Sequence, residues 1–437
     1  MPPERPRSPA LRVLTFRNFW PYFAGNLLSN CGTWFQNIAQ AILIYRLTGS
    51  TFFVGVVNFA QFVGVFVLAP WAGSAADRFD RRRMVVVTQI AATSVTALLA
   101  ALQGTGRATT PVVIGLALLL GLTVAFAIPA IQAMIPDLVE PGDLAAAMAL
   151  SSLTFNLARA VGPVLGALVV ARLGIAVAFG FNSLSYLGLI AGLLAVRPRQ
   201  APRRGGPAPR WRDSLRMVRH DTALLALLGV VAAISLSQDP VSTLTPGFSS
   251  EVFHRADTLT GLLVGAFGAG SALAAATVAG RARDPVRRLA PGCLVMGLGM
   301  LGFGLAPALP FAFGALAVGG FCFMVTNTGA TTALTLEVGP EERGRVMAIW
   351  SLCFLGTRPM ASLADGALAS AAGLRPAAVA MTVPVVAAAA AMAVLRARVA
   401  RLRQVGIAPA VLAEPPAAEV PGAELPGAEM PGAGPTK

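Results

Sequence analysis

Apolar stretches of about 18 residues or more recur along most of the chain, each long enough as a helix to cross a hydrocarbon core of roughly 30 Å. In that solvent every backbone N–H and C=O needs a partner within the protein, which leaves only helices and closed barrels. The runs are continuous and do not alternate between apolar and polar over about ten residues, so they are helices. Twelve crossings are predicted, at 19–46, 52–75, 84–103, 111–133, 144–171, 175–195, 223–247, 258–281, 289–306, 309–336, 345–371 and 374–396. Of the 437 residues, 55% are hydrophobic and 12% charged, where an ordinary soluble domain has about 25% charged. The chain reads as an all-α integral membrane protein.

The net charge of +14 is not a nucleic-acid-binding patch, because the arginines fall in short clusters between the apolar runs. Basic residues mark cytoplasmic loops. Arg5, Arg7, Arg12 and Arg17 precede the first helix, Arg78 and Arg81 to Arg83 follow the second, and Arg396, Arg398, Arg401 and Arg403 follow the twelfth. The opposite loops hold little more than Arg46, Arg107, Arg172, Arg255 and Arg375. Both termini and the loop after helix six are therefore expected in the cytoplasm. The domains follow: a cytoplasmic segment 1–18, a six-helix bundle 19–196, a basic linker 197–220, a second bundle 221–396 and a Pro/Gly/Ala tail 397–437 expected to be disordered. No cleaved signal peptide is expected.

The bundles repeat one another. At an offset of 199, Val139, Pro141, Met148, Ala149, Ser152, Leu153, Phe155 and Arg159 match Val338, Pro340, Met347, Ala348, Ser351, Leu352, Phe354 and Arg358. Between helices two and three, Gly73-x-x-x-Asp77-Arg78-x-x-Arg81-Arg82 resembles the loop of the major facilitator superfamily at that family's own position. The resemblance implies twelve helices in two pseudo-symmetric bundles that rock about a central cavity. It also implies a gate, with Gly73 allowing close helix approach and Asp77 meeting a helix N-terminus or a neighbouring arginine. Topology alone is the competing reading for Arg81 to Arg83. In helix five, Arg159, Gly162, Pro163 and Gly166 resemble the Gly-Pro element of the superfamily's antiporters, a sign of export. Here Pro163 kinks the helix and the glycines form a contact face. Residues 16–50 and 143–163 resemble the enterobactin-exporter-like branch.

Helix one carries Asn26, Asn30, Thr33, Asn37 and Gln40 on one face, and helix two adds Asn58 and Gln61. They either line a cavity that receives substrate or bond between helices. Arg159 and Arg358 lie about 20 Å into their helices, where an arginine calls for a carboxylate, carbonyl groups or an anionic substrate. Asp239 and Asp365 are the candidate proton carriers. Asp239 alternatively caps a helix broken at Pro240, and Asp365 alternatively pairs with Arg358 seven residues away. Asp137, Glu140, Asp143 and Glu337 fall at helix ends, where a loop role is expected.

No catalytic signature competes: no HExxH, GxSxG or P-loop occurs, and the four cysteines have no metal-ligand spacing. The expectation is a secondary transporter, not an enzyme, without metal or cofactor and driven by a proton gradient. It would work as a monomer in the plasma membrane, contacting lipid and a small-molecule substrate and no nucleic acid, and export that substrate by antiport. The rival readings are a metabolite importer or a lipid flippase on the same fold and, more remotely, a membrane-embedded enzyme or sensor.

Overall fold

A computed structural model describes residues 9–197, 216, 218–219, 221–277, 285–339 and 342–404. The side chains at 9, 10, 70, 77, 145, 156, 160, 344 and 398–404 are not among those described. Most of the basic linker and the tail from 405 therefore lie outside the described residues. Met1–Ala393 form one compact unit, to which all contacts below belong; Val394–Lys437 form a second.

The described residues are helical and contain no strand. A short α1 (Pro9–Leu14) precedes α2 (Trp20–Thr48), α3 (Thr51–Arg78), α4 (Arg81–Gly104), α5 (Thr110–Leu138), α6 (Leu144–Leu173) and α7 (Ile175–Ala195). The second half begins with α8 (Thr222–Gln238), followed by two short pieces, α9 (Pro240–Thr243) and α10 (Thr245–Gly247), and a π turn at Phe248–Val252. Then come α11 (Thr258–Thr277), α12 (Leu289–Leu305), α13 (Leu309–Glu337), α14 (Arg343–Leu355), α15 (Arg358–Ala372), α16 (Leu374–Ala380) and α17 (Val383–Gln404).

Among the described residues, eleven spans are long and apolar enough to cross a membrane. The helix outside that set is α2, with 29 residues; its asparagines and glutamines, not its length, lower its hydropathy. Three spans expected to be continuous are interrupted. The seventh breaks at Asp239–Pro240, the eleventh at Gly356–Thr357, just before Arg358–Pro359, and the twelfth at Met381–Thr382, two residues before Pro384. Proline has no N–H to give the carbonyl four residues before it, so each break frees backbone groups inside the span.

Local chemistry sets the joints. The Ser50 side chain accepts from Phe52 N–H at the start of α3, Asp80 from Arg83 N–H at the start of α4, and Asp221 from two N–H groups at the start of α8. The duplication reappears in the backbone. Gly174 and Gly373, 199 positions apart, both take a left-handed φ, 92° and 94°, at the α6–α7 and α15–α16 joints. That conformation strains any residue with a Cβ.

Within the first half, α2 packs on α6 and α7, α3 on α5, and α4 on α5 and α7. In the second, α13 packs on α11 and α12. Outward faces carry apolar residues such as Leu119, Leu184, Leu298 and Phe311, as hydrocarbon requires. The halves meet along two seams, α3 with α15 and α6 with α11. At the first, a Cβ on Gly55 would stand 2.3 Å from the Ser362 carbonyl oxygen. At the second, a Cβ on Gly261 would stand 2.4 Å from that of Pro163.

Both clashes are with backbone and cannot be relieved by a side-chain turn. Gly55→Val should therefore lower the thermal unfolding midpoint in detergent, at a cost of about 1–3 kcal/mol. Gly115→Val, whose Cβ meets nothing within 4 Å, should leave it unchanged.

Candidate functional site

The polar face of α2 is used largely between helices. Asn26 Nδ2 donates to Thr154 Oγ1 on α6 at 3.1 Å, and Asn30 Nδ2 to the Asn26 carbonyl at 2.7 Å. Thr33 bonds the Ser29 carbonyl at 2.9 Å and lies 3.4 Å from the Tyr186 hydroxyl. Gln61 on α3 donates to Asn37 Oδ1 at 2.9 Å and accepts from Gln40 Nε2 at 2.8 Å. Asn26, Gln40 and Gln61 are buried, while Asn30, Thr33 and Asn37 keep partial exposure.

Asn58 reaches across the seam and donates to Thr243 Oγ1 at 3.2 Å. Thr243 then gives its own proton to Asp239 Oδ2 at 2.8 Å, and Ser362 on α15 donates to the same oxygen at 2.6 Å. Arg358 Nε stands 3.6 Å from Asp239 Oδ1, an ion pair just beyond hydrogen-bond length, with the guanidinium 4.3 Å from the Phe62 ring. Asp239 makes no side-chain bond to a helix N-terminus, so capping is not its role. The pairing of Asp365 with Arg358 is corrected as well: the acid held against Arg358 is Asp239, on another helix. Asp365 is fully buried, neighbours Asp239, and neither of its oxygens has a hydrogen-bond donor. The helix breaks explain the geometry, since Asp239 and Arg358 each stand beside the proline that interrupts their span.

Arg159, the duplicate of Arg358, has a different environment. One of its Nη atoms donates to Gln238 Oε1, and its guanidinium lies 5.8, 5.2 and 4.6 Å from the rings of Trp34, Phe267 and Phe323. Among the described residues no carboxylate pairs with it. Each ring face contributes roughly 0.5–2 kcal/mol to holding the charge. Arg159 also lies within Coulombic reach of Arg358. Beside it, a Cβ on Gly162 would stand 2.6 Å from Trp34 Cβ, and one on Gly166 2.9 Å from Phe35 Cα. The two glycines thus draw α6 onto α2, while Pro163 faces Gly261 across the seam.

At the arginine-rich end, Arg81 bonds Asp137 and the Ala133 carbonyl, both at 2.9 Å. Arg82 bonds the carbonyls of Leu193 and Leu194 at 2.7 and 2.9 Å, and Arg12 pairs with the buried Asp143. Arg78 is exposed, and the Asp77 side chain lies outside the described residues. The close helix approach expected at Gly73 is absent: a Cβ there would meet nothing within 4 Å. All these contacts stay within the first half. The opposite, arginine-poor end joins the halves, with Arg46 paired to Asp257 at 2.7 Å and the Tyr45 hydroxyl donating to Glu251.

Sequence reasoning missed Gln238, Thr243, Ser362 and the ring pair Phe267 and Phe323. The run Ser235, Ser237, Gln238, Asp239 in an otherwise apolar helix was the available signal, as was Ser362 three residues before Asp365 on one face. Removing the acid while keeping Arg358 should be severe. Asp239→Ala is expected to cost about 3–5 kcal/mol of stability, read as a lowered unfolding midpoint, with Asp239→Asn costing less because it retains hydrogen-bonding atoms.

Comparison with known proteins agrees with this architecture. Residues 6–421 match the family described as transmembrane secretion effector. Multidrug efflux pump Tap of Mycobacterium tuberculosis is 26% identical over 92% of this chain and 96% of its own. Enterobactin exporter EntS of Escherichia coli O1:K1 is 25% identical over 76% of this chain and 80% of its own. Staphyloferrin A transporter of Staphylococcus aureus is 29% identical, but over only 34% of this chain and 38% of its own. Among solved structures, an inward-facing bacterial homologue of the lysosomal transporter Spinster superposes with TM-score 0.67 at 15% identity, covering 90% of this chain and 98% of that one. The human organic anion transporter MFSD10 does so with TM-score 0.62 at 18% identity, covering 86% and 99%. The chain is a multi-pass membrane transporter, not an enzyme, and belongs to the transmembrane secretion effector family of the major facilitator superfamily.

Proposed function

We propose that the protein exports a small amphiphilic or aromatic compound from the cytoplasm by alternating access, exchanging it for protons. The observation that carries this reading is the acid cluster on the seam between the halves. Asp239 and Asp365 sit side by side, Asp239 is held by Ser362 and Thr243, and Asn58 of the other half bonds Thr243. Two adjacent buried carboxylates repel when both are ionised, and a proton between them turns that repulsion into a hydrogen bond. Proton loss would therefore push the seventh and eleventh spans apart within the second half, and would disturb Thr243, through which Asn58 of the first half is bonded. The distribution of contacts supports the direction. Ties between the halves gather at the arginine-poor end, whereas those of Arg12, Arg81 and Arg82 remain within one half. With the arginine-rich loops and both termini in the cytoplasm, this state receives substrate from inside the cell. Relatives named as a multidrug efflux pump and an enterobactin exporter support export. One chain supplies both halves of the site, which supports action as a monomer.

Inside-out vesicles with an acidic interior test the reading. Uptake of compounds from a panel of dyes, antibiotics and siderophores should follow the gradient and be lost in Asp239→Asn. Uptake no greater than in vesicles lacking the protein removes export of these classes, and uptake indifferent to the gradient removes proton exchange.

A further inference from the structure

The duplicated arginines differ in what balances their charge. Gln238 and Asp239 are consecutive residues at the break of the seventh span; Asp239 holds Arg358 and Gln238 holds Arg159. At Arg358 the protein supplies an anion. At the equivalent Arg159 it supplies a neutral amide and aromatic rings, and the residue as a whole keeps some exposure. The rings come from α2, α11 and α13, so both halves converge on this one charge.

We infer that Arg159 is the anchor for the anionic group of an aromatic carboxylate carried as substrate. A guanidinium beside ring faces keeps its planar N–H edges available for a carboxylate, which it meets with two parallel hydrogen bonds. The same rings offer apolar faces to the aromatic part of the ligand. Arg358 adds positive potential from nearby without competing for the ligand, because Asp239 already occupies it. A carboxylate in place of Gln238 would fill the position an incoming anion takes, so the amide at 238 is what keeps the anchor open. The side chains around Arg159 come from both halves, and a bound anion would contact each of them, so ligand charge enters the balance that holds the halves together. This inference rests on the exporter reading for its cargo role, but the binding step stands apart from it.

The test is calorimetric titration of the full chain in lipid nanodiscs with 2-naphthoate and with 2-naphthamide, which share a ring system and differ in charge. Naphthoate should bind at least about tenfold more tightly than the amide. Gln238→Glu and Arg159→Gln should each weaken naphthoate at least about tenfold while leaving naphthamide within about twofold. Equal binding of both probes, absence of naphthoate binding, or naphthoate affinity unchanged in both variants overturns the assignment. Naphthamide binding also reports folding of each variant; where a variant loses both probes, the unaltered protein's preference between them decides for or against the anchor. The titration needs no transport. Binding with charge discrimination but without vesicle uptake sinks the exporter reading and keeps the anchor, and uptake of neutral compounds without discrimination does the reverse.

Discussion

Hydrocarbon offers no hydrogen bonds, so each polar side chain within these spans must find its partner in the protein or in a cargo. The interior is organised by that constraint. The amides of α2 are tied to α3 and α6, its Thr33 hydroxyl lies against Tyr186 of α7, and the hydroxyls of Thr243 and Ser362 are turned onto one carboxylate oxygen. A few groups escape it, notably the two oxygens of Asp365 and the charge of Arg159. In a solvent that penalises such exceptions, they are the places where something other than the protein is expected to act.

The glycine seams and the polar network depend on each other. Gly55 and Gly261 let backbones of the two halves approach within side-chain distance, and only at that separation does Asn58 reach Thr243. Close packing between halves is attractive over a short range, so a small displacement disconnects the whole chain from Asn58 to Asp239. Such a contact is bistable, and it is the kind of element that the alternating access proposed above would need.

Much of this was legible in the residues. Apolar length gave eleven of the spans, arginine asymmetry distinguished the two ends, and the match of Arg159 to Arg358 pointed to the duplication that Gly174 and Gly373 repeat in the backbone. Other features were not legible. Spacing of seven residues put Asp365 on the face of Arg358, but periodicity along one helix is blind to an acid arriving from another, and Asp239 is the one that arrives. Gly73 was expected at a helix contact because glycine often serves there, yet its surroundings are set by the tertiary position of the end of α3. The ring cluster around Arg159 draws on three helices distant in sequence, and no local pattern signals such a meeting.

The contact between Arg46 and Asp257 has a consequence of a different kind. Both side chains reach water, Arg46 with 54% and Asp257 with 26% of its side chain exposed, so mobile ions screen their attraction over a Debye length of about 10 Å at 0.1 M salt. The buried ties near Asp239 are shielded from those ions. The clasp at the arginine-poor end therefore slackens in brine and tightens in fresh water while the seam beneath it does not change, which makes the grip between the halves at that end a property shared between the protein and its medium.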